Sequence, residues 1–332
     1  MSANAPTRRI AVVGLGAWGT ALALHCARLG HSVVGWNRDI SAVNAARSSG
    51  KISCAGGTTE IPANMGVTSS LADLGGAEFT IVALPARAWG DVVPSLKATS
   101  IVSATKGLES KSSQTPLTYA HSVARYPRES LAVISGPSFA SDLIAGHPIS
   151  IVAGSTSESL ANTVATTLSS PTLRVYTSND PLGVELGGIL KNVIAIVAGV
   201  SDSLGYGPSA RAALISRGLF EMTSVATSLG AHPRTLSGLS GLGDLIMTAT
   251  EDQSRNRSVG LRLGQGEALS DVLQSLGATA EGVSSAPLVL DLAKKHGVSA
   301  PLTEGVVKLM RGDLKAIELA GALMSRPLRS EF

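Results

Sequence analysis

Three glycines near the start of the chain have the spacing of a phosphate-binding turn. Gly14, Gly16 and Gly19 stand in the order G-x-G-x-x-G, directly after an apolar run at 10–13. The first permits a tight turn, the second lets a pyrophosphate approach the backbone, and the third lets a helix pack closely on a strand. Helix formers follow at 21–29, so the N–H groups of a helix start would face the phosphates. The stretch predicts a dinucleotide site.

The residues after the second predicted strand, 32–36, bear on the choice of dinucleotide. An NAD-only site usually has a carboxylate first at this place, where it binds the ribose 2′-hydroxyl. Here Asn37 and Arg38 come first, and a guanidinium suits a 2′-phosphate, which favours NADPH. Asp39 is interpreted as the N-cap of a helix over 40–47. A solvated turn residue is the alternative for Arg38.

A lysine stands where substrate would bind in a doubly wound sheet. Lys106 follows the predicted strand 101–104, and the turn with Gly136 and Ser138 follows the predicted strand 131–135. Ligands of such sheets bind outside the carboxyl ends of the strands, so Lys106 is a candidate substrate ligand. A surface lysine that begins a turn is the alternative.

A second lysine interrupts a helix that is apolar nearly all round. Lys191 lies within the pattern that starts at Asp180 and runs to about 201. Such a helix is buried, and desolvation favours neutral lysine, which can then exchange a proton near neutral pH. We therefore interpret Lys191 as an acid or base. A buried structural ion pair or a snorkelling side chain is the alternative.

Two further polar features follow in the second half. A glycine-rich stretch at 237–243 precedes Asp244, which we expect to position Lys191. Ser254, Arg255 and Asn256 stand side by side, and their hydroxyl, guanidinium and amide donors suit phosphate oxygens. A solvated helix start is the alternative for this cluster.

The order of the elements predicts two domains. Predicted strands end with 173–176, and the pattern beyond Asp180 is helical. Residues 1–178 are expected to form an α/β domain with a mainly parallel sheet, and 179–332 an all-α domain. The polar stretch 52–65 is expected to be a loop.

Composition restricts the class of protein. Hydrophobic residues make up 44% and charged residues 15% of the 332 residues, which is typical of a folded chain. Lys and Arg number 27 against 24 Asp and Glu, and aromatic residues are 3%, so nucleic acid is not expected as a partner. Cys26 and Cys54 suggest neither a disulfide framework nor a metal site.

The first apolar stretch, 10–27, follows two arginines in the manner of a secretory leader. Its three glycines and the nucleotide motif argue against that interpretation. We expect no other stretch to be long and apolar enough to span a bilayer without interruption, and hence a cytoplasmic protein without membrane insertion.

Together these motifs closely resemble the bacterial-type NAD(P)-dependent glycerol-3-phosphate dehydrogenase family. The resemblance runs over most of the chain, from 12 to 266, through the stretches VVGLGAWGTALA, ATKGLE, AVISGPSFA, LGGILKNVIAIVAG, GLGDLIMT, QSRNR and LGQG. It implies a Rossmann-type domain followed by a helical domain, commonly in a homodimer. It also implies reversible reduction of dihydroxyacetone phosphate to sn-glycerol 3-phosphate, which feeds glycerophospholipid synthesis.

The resemblance also implies roles for individual residues. Lys191 is the catalytic acid or base, with Lys106 and Asp244 assisting. Substrate contacts are implied for Lys106, Gly136, Ser138, Lys191, Asp244, Ser254, Arg255 and Asn256. Cofactor contacts, with NADP or NAD, are implied for Gly14, Gly16, Trp18, Gly19, Arg38, Lys106, Ala140, Arg255 and Glu281.

Two positions depart from the family pattern, and two alternative functions remain. Ser138 stands where threonine is common, which keeps the hydroxyl, and the stretch before Glu281 lacks the usual aliphatic pair. One rival is another two-domain dehydrogenase, of the 3-hydroxyacid or 6-phosphogluconate type, which should lack the S-R-N cluster. The other is a nucleotide-binding regulator without turnover, which the two lysines make unattractive.

Overall fold

The structure, a computed structural model, describes residues 6–276 and 279–325. Contacts divide the chain into two compact units, Met1–Glu185 and Leu186–Phe332. The predicted domain boundary, between 178 and 179, lies shortly before this division. The difference arises because the first turn of the long helix that begins at Pro181 packs on the first unit, where Val184 contacts the strand residue Gly154.

The first unit is built on a mainly parallel sheet, as predicted. The sheet strands and a separate hairpin are β1 (Arg9–Val13), β2 (Ser32–Trp36), β3 (Lys51–Cys54), β4 (Gly57–Glu60), β5 (Met65–Thr68), β6 (Phe79–Val82), β7 (Ile101–Ser103), β8 (Leu131–Ser135), β9 (Ile149–Ser155) and β10 (Leu173–Ser178). Eight of these strands pair in the order β10-β9-β8-β7-β6-β1-β2-β5, and within this eight-stranded sheet, as described, only the β8–β9 pair is antiparallel.

Helices cover both faces of this sheet, so its central strands are apolar on both sides. Ile10 and Val12 join one hydrophobic cluster and Ala11 and Val13 the other, because successive strand side chains point to opposite faces. The helices of this unit are α1 (Ala17–Arg28), α2 (Ile40–Ser49), α3 (Trp89–Val92), α4 (Pro116–Ser122), α5 (Ala140–Ala145) and α6 (Glu158–Leu168).

The prediction of a loop over 52–65 is wrong. Strands β3 and β4 form an antiparallel hairpin there, in which Ile52 pairs with Thr59. Gly56 and Gly57 at its tip have φ values of +92° and +137°, which glycine adopts without strain. The hairpin gave no strand signal because most of its side chains are polar and exposed, without the alternation of a half-buried strand.

The second unit is helical throughout its described residues, as predicted. Its first helix, α7 (Pro181–Ser203), begins in the first unit, and a π-helical turn at Leu239–Gly243 precedes α10. The helices that follow α7 are α8 (Gly207–Ser228), α9 (Pro233–Leu236), α10 (Asp244–Thr250), α11 (Arg255–Gly264), α12 (Leu269–Leu276), α13 (Glu281–Lys295), α14 (Pro301–Arg311) and α15 (Ala316–Met324).

Helix α7 is long and apolar enough to cross a membrane by length and composition, with a mean hydropathy of 1.6 over 18 residues. The expectation that no such stretch exists is therefore wrong. The whole of that window is buried within the protein. The helix is apolar all round because other helices surround it, which is the pattern of a core helix.

Glycines let neighbouring helices approach α7 closely. A Cβ built on Gly199 would lie 2.1 Å from the carbonyl oxygen of Arg257, and one on Gly260 would lie 2.0 Å from that of Ile196. Any side chain at either position would separate α7 from α11. The backbones of the two helices are therefore in direct contact.

One buried carboxyl group anchors the start of α4 in the first unit. Glu185 accepts a hydrogen bond from the backbone N–H of Leu117 at 2.9 Å and another from the hydroxyl of Thr115. Desolvation by burial outweighs these bonds and raises the pKa of Glu185 to about 7. Glu185 therefore keeps its proton at pH values where it would be ionised in the unfolded chain.

This pKa predicts that stability falls with rising pH. Between about pH 4.5 and 7 the folded state binds the proton that the unfolded state has released, so the free energy of unfolding decreases by up to about 3 kcal/mol. Glu185→Gln, which stays neutral, should flatten this dependence and raise the stability above pH 7. Urea unfolding across pH 4 to 8 measures both effects. The exposed Glu60→Gln is the control, and a slope unchanged in Glu185→Gln contradicts the assignment.

Candidate active site

The glycine turn after β1 meets the requirements of a phosphate cradle. Gly14 has a φ of +99°, and a Cβ on it would lie 2.8 Å from the carbonyl oxygen of Ala83. A Cβ on Gly19 would lie 1.9 Å from the carbonyl oxygen of Gly14. A Cβ on Gly16 would meet no described atom within 4 Å. The packing of the chain therefore requires Gly14 and Gly19 but not Gly16, whose backbone is open to the approach of a ligand.

The start of α1 supplies donors for such a ligand. Gly16 is its N-cap, and among the described residues no side chain caps this end. Gly16 and Ala17 are exposed and Trp18 is half-buried. The N–H groups of the first turn lack intrahelical partners, so this end fits the pyrophosphate of a dinucleotide.

Residues 37–39 follow β2 and include two exposed charged residues, Arg38 and Asp39. Asp39 caps α2, because its Oδ1 accepts from the N–H groups of Ser41 and Ala42 at 2.9 and 3.1 Å. This confirms the predicted cap. Asn37 Oδ1 accepts from the N–H of Asp39 at 3.0 Å. Arg38 is exposed between them.

The carboxyl ends of β7 and β8 bring together predicted substrate ligands. Lys106 Nζ and Ser138 Oγ both donate to the carbonyl oxygen of Gly136, each at 3.1 Å. Gly136 has a φ of +148°, and a Cβ on it would lie 2.9 Å from the Cα of Ile151, so the turn requires glycine. Ala140, a predicted cofactor contact, begins α5 directly after this turn.

Thr105 holds the loop that carries Lys106. Its buried hydroxyl donates to the carbonyl oxygen of Leu84 at 2.7 Å and accepts from Trp89 Nε1 at 2.8 Å. With that side chain fixed, the adjacent backbone of Lys106 has little freedom. The sequence analysis assigned no role to Thr105, since a threonine before a lysine carries no signal of a tertiary contact.

In the helical unit, Lys191 forms a buried ion pair. Its Nζ lies 2.7 Å from Asp244 Oδ1 and 2.6 Å from Thr248 Oγ1. The side chains of Lys191 and Asp244 are 7% and 0% exposed. Thr248 Oγ1 in turn lies 3.3 Å from Asp244 Oδ1. The ammonium, the carboxylate and the hydroxyl are thus mutually in contact, and the contact predicted between Lys191 and Asp244 is present.

Local structure explains this arrangement. A π-helical turn delivers Asp244 as the first residue of α10, and Thr248 lies four residues later on the same helix face. Gly187 lies one turn before Lys191, and a Cβ on it would lie 2.5 Å from the carbonyl oxygen of Ser240 in the π-helical turn. The turn can approach α7 only because Gly187 has no side chain.

A second polar network begins beside Lys191. Asn256 Nδ2 donates to Asn192 Oδ1 at 2.9 Å, and Asn256 Oδ1 accepts from the N–H of Gly282 at 2.9 Å. A Cβ on Gly282 would lie 2.6 Å from the carbonyl oxygen of Asn192. Asn256 thereby connects α7 to the start of α13, where Glu281 is the first residue. These two bonds hold the buried Asn256 side chain in one orientation.

The serine–arginine–asparagine cluster divides between the interior and the surface. Ser254 is buried, caps α11 and accepts from the N–H of Arg257 at 3.2 Å. Arg255 is exposed, and its Nη1 donates to the carbonyl oxygen of Thr279 at 3.2 Å. Arg255 therefore lies at the segment that leads into Glu281.

Arg257, the other arginine of this segment, has a structural role. It bonds to Asp202 through Nε and Nη2 at 2.9 and 2.7 Å, and to Asp252 through Nη1 at 2.6 Å. Burial disfavours its charge, but these carboxylates outweigh the desolvation and raise its pKa. Its guanidinium is thus bound by carboxylates of the protein, whereas Arg255 is exposed.

Comparisons with known proteins agree with this arrangement. A profile described as the N-terminus of NAD-dependent glycerol-3-phosphate dehydrogenase matches residues 9–161, and one described as its C-terminus matches 180–320. The chain belongs to this family. Relatives named glycerol-3-phosphate dehydrogenase (NAD(P)+) include one from Xanthomonas campestris, 38% identical over 98% of this chain and 97% of the relative. Another, from Koribacter versatilis, is 42% identical over 97% and 98%.

A solved structure extends the family likeness to three dimensions. The crystal structure of glycerol-3-phosphate dehydrogenase from Coxiella burnetii superimposes with a TM-score of 0.89 at 35% identity. The match covers 96% of this chain and 99% of that chain. The two-domain order expected of the family, an α/β unit followed by a helical unit, is the order seen here.

Thr248, like Thr105, was not among the predicted site residues. Its Oγ1 contacts both Lys191 and Asp244. The available signal was its spacing of four residues from Asp244, which places both on one face of a helix. A threonine in an apolar helix more often bonds to its own backbone, which conceals this signal.

We predict that Thr248 positions Lys191 for turnover. Thr248→Val keeps the shape but removes the oxygen that Lys191 contacts, so kcat should fall about ten- to a hundredfold. The pKa that Lys191 contributes to the kcat–pH profile should shift down, because its charged form loses an acceptor. Thr248→Ser should restore both. Loss of thermal stability in Thr248→Val with normal kcat and an unshifted profile argues against the assignment.

Proposed function

We propose that the chain catalyses the reversible reduction of dihydroxyacetone phosphate to sn-glycerol 3-phosphate with NADPH or NADH. The observation that carries this proposal is the contact of Lys191, in the core helix α7, with Asp244 and Thr248 of α10. The chain that contains it matches the family along its length. The relatives named above share that activity by name. We infer that the product feeds glycerophospholipid synthesis.

Lys191 supplies the proton. The nicotinamide, when bound, provides the hydride that adds to the ketone carbon of the substrate. As the C=O bond becomes a single bond, negative charge develops on the oxygen. The Lys191 ammonium stabilises this charge and donates one proton to it, which yields the secondary hydroxyl and leaves a neutral amine. Oxidation runs through the same proton transfer in reverse.

Asp244 and Thr248 prepare Lys191 for this step. The carboxylate of Asp244 is fully buried and lies 2.7 Å from the ammonium, so it favours the charged form before reduction. Thr248 Oγ1 fixes a second direction of the ammonium group. The ammonium group of Lys191 carries three N–H donors, and its contacts with Asp244 and Thr248 orient it.

We assign the substrate phosphate to the start of α11. Arg255 supplies an exposed guanidinium, and Ser254 and Asn256 each supply a neutral donor. A guanidinium binds phosphate with two parallel hydrogen bonds. Lys106, Gly136, Ser138 and Glu281 remain predicted contacts of substrate or cofactor.

Turnover assays test this proposal directly. The chain should oxidise NADPH with dihydroxyacetone phosphate and be a very poor catalyst with unphosphorylated dihydroxyacetone, which lacks the group that Arg255 binds. Efficient turnover of the unphosphorylated ketone would refute a phosphate-anchored site. No turnover with any phosphorylated ketone would favour a regulator that binds NADP.

We predict that Lys191→Met lowers kcat by about 10²–10⁴, the usual contribution of a positioned acid or base. Met matches the length of lysine and suits a buried helix. NADPH affinity should change little, because the glycine turn and Arg38 lie in the other unit. Calorimetry, NADPH titration and kcat on one preparation separate this result from a structural role. The melting temperature should fall in either case, because the buried Asp244 loses its ammonium partner. In a purely structural role kcat of the folded fraction would stay near normal.

We propose that Arg38 makes NADPH at least as good a cofactor as NADH. Its guanidinium is exposed beside the glycine turn, whereas Asp39 is engaged as a helix cap. Arg38→Ala should weaken NADPH binding by about ten- to a hundredfold, because it removes a charge-assisted hydrogen bond worth about 1.5–3 kcal/mol. NADH binding should hardly change. Equal losses for both cofactors contradict the proposal, and the exposed Arg28→Ala serves as the control.

We infer that the protein is a cytoplasmic homodimer. The family resemblance supports both statements, since members are commonly dimers and act on small phosphorylated metabolites. Light scattering of the purified chain measures its mass in solution, and cell fractionation measures its location.

A further inference from the structure

A cavity lies within the helical unit, and its lining does not include the residues assigned to substrate and cofactor. Its volume is about 380 Å³, within the range of small-molecule sites. Residues of α7, α8, α14 and α15 line it, and its walls are mainly aliphatic, including Val197, Val200, Leu214, Leu302 and Leu319. None of the lining residues belongs to the polar networks around Lys191 or Asn256.

One hydroxyl in this cavity lacks a partner. Ser201 is 5% exposed, and its Oγ has no hydrogen-bond partner among the described residues. A buried hydroxyl in that state costs free energy, which a ligand atom would recover. Ser224 provides a contrast in the same lining, since its Oγ donates to the carbonyl oxygen of Phe220 at 2.9 Å.

The charges of the lining favour an anion. Glu221 is buried, and its carboxylate accepts from the N–H groups of Leu302 and Thr303 at 2.8 and 2.9 Å and from the hydroxyl of Thr303 at 2.7 Å. The start of α14 thus compensates its negative charge. Arg217 is the other charged residue of the described lining, and its guanidinium lies 4.7 Å from the ring of Phe220.

We propose that this cavity binds an amphipathic carboxylate of the fatty-acid class. The aliphatic walls accept the hydrocarbon chain, and the hydroxyl of Ser201 donates a hydrogen bond to the carboxylate. The guanidinium of Arg217 attracts the same charge. A purely apolar ligand would leave Ser201 unsatisfied, and a cationic one would meet Arg217.

Calorimetric titration of the full chain with decanoate, below its micelle concentration, tests the proposal. We expect saturable binding of one decanoate per chain. Decanol has no charge and should bind more weakly, and decyltrimethylammonium more weakly still. Binding that is equal for the cationic and the anionic amphiphile overturns the proposal.

Substitutions at two lining positions locate the site. Ser201→Ala should weaken decanoate binding about three- to tenfold, the effect of one hydrogen bond. Arg217→Gln should weaken it about two- to fivefold and reduce its dependence on salt. The matched controls are Ser224→Ala, whose hydroxyl is already bonded, and the exposed Arg311→Gln. Equal effects of the test and control substitutions overturn the assignment.

A substitution that fills the cavity should have a larger effect than the removal of one hydrogen bond or one charge. Ala213 is exposed and lines the cavity, so Ala213→Trp should fill it without disturbing the core and abolish decanoate binding. Sedimentation of the same variants identifies the other occupant, a second copy of the chain. If Ala213→Trp dissociates an oligomer and decanoate binds only to the dissociated chain, the cavity is an interface and the ligand proposal is wrong.

Discussion

The buried charge of Lys191 is the constraint on which the helical unit depends. An ammonium in the middle of an apolar core helix is unfavourable unless a partner compensates it. Asp244 and Thr248 provide that compensation from α10, so the first turn of α10 must contact α7. The glycine at 187 and the π-helical turn before α10 permit that contact. The same requirement that stabilises the helix pair fixes the position of the Lys191 ammonium.

A second consequence concerns the neighbours of α7. Asn192, next to Lys191, bonds to Asn256 at the start of α11, and Asn256 bonds to Gly282 at the start of α13. Buried amides have to satisfy their donors and acceptors within the protein. These hydrogen bonds therefore fix the starts of α11 and α13 beside Lys191. Those two ends carry the serine–arginine–asparagine cluster and Glu281.

In the first unit, backbone groups at the ends of the strands form the candidate ligand site. Its parallel strands end at one edge of the sheet, and the turns that follow them carry the glycine motif, Lys106 and Gly136. Two glycines of the motif are required by contacts within the chain, whereas Gly16 is not. An exposed helix start without a capping side chain then remains for a ligand's phosphate groups.

The sequence by itself determined the fold class and the helical second half, and it supplied the candidate site residues. Apolar runs at β1, β2, β8 and α7 sufficed for the fold because burial imposes them on the sequence. It failed at the polar hairpin of β3 and β4, which is exposed and so leaves no apolar pattern. The length and hydropathy of α7 would also allow it to span a bilayer, which the sequence-based expectation overlooked. Length and composition do not distinguish a core helix from a membrane span.

The tertiary structure decided most of the contacts between polar groups. The sequence predicted that Asp244 positions Lys191, but not that Thr248, 57 positions after Lys191, contacts both. Nor did the stretch QSRNR distinguish its two arginines, of which Arg257 binds Asp202 and Asp252 whereas Arg255 is exposed. The physical reason is that hydrogen bonds between side chains depend on how helices pack, and packing depends on close contacts, such as those of Gly187 and Gly282, that no local pattern encodes.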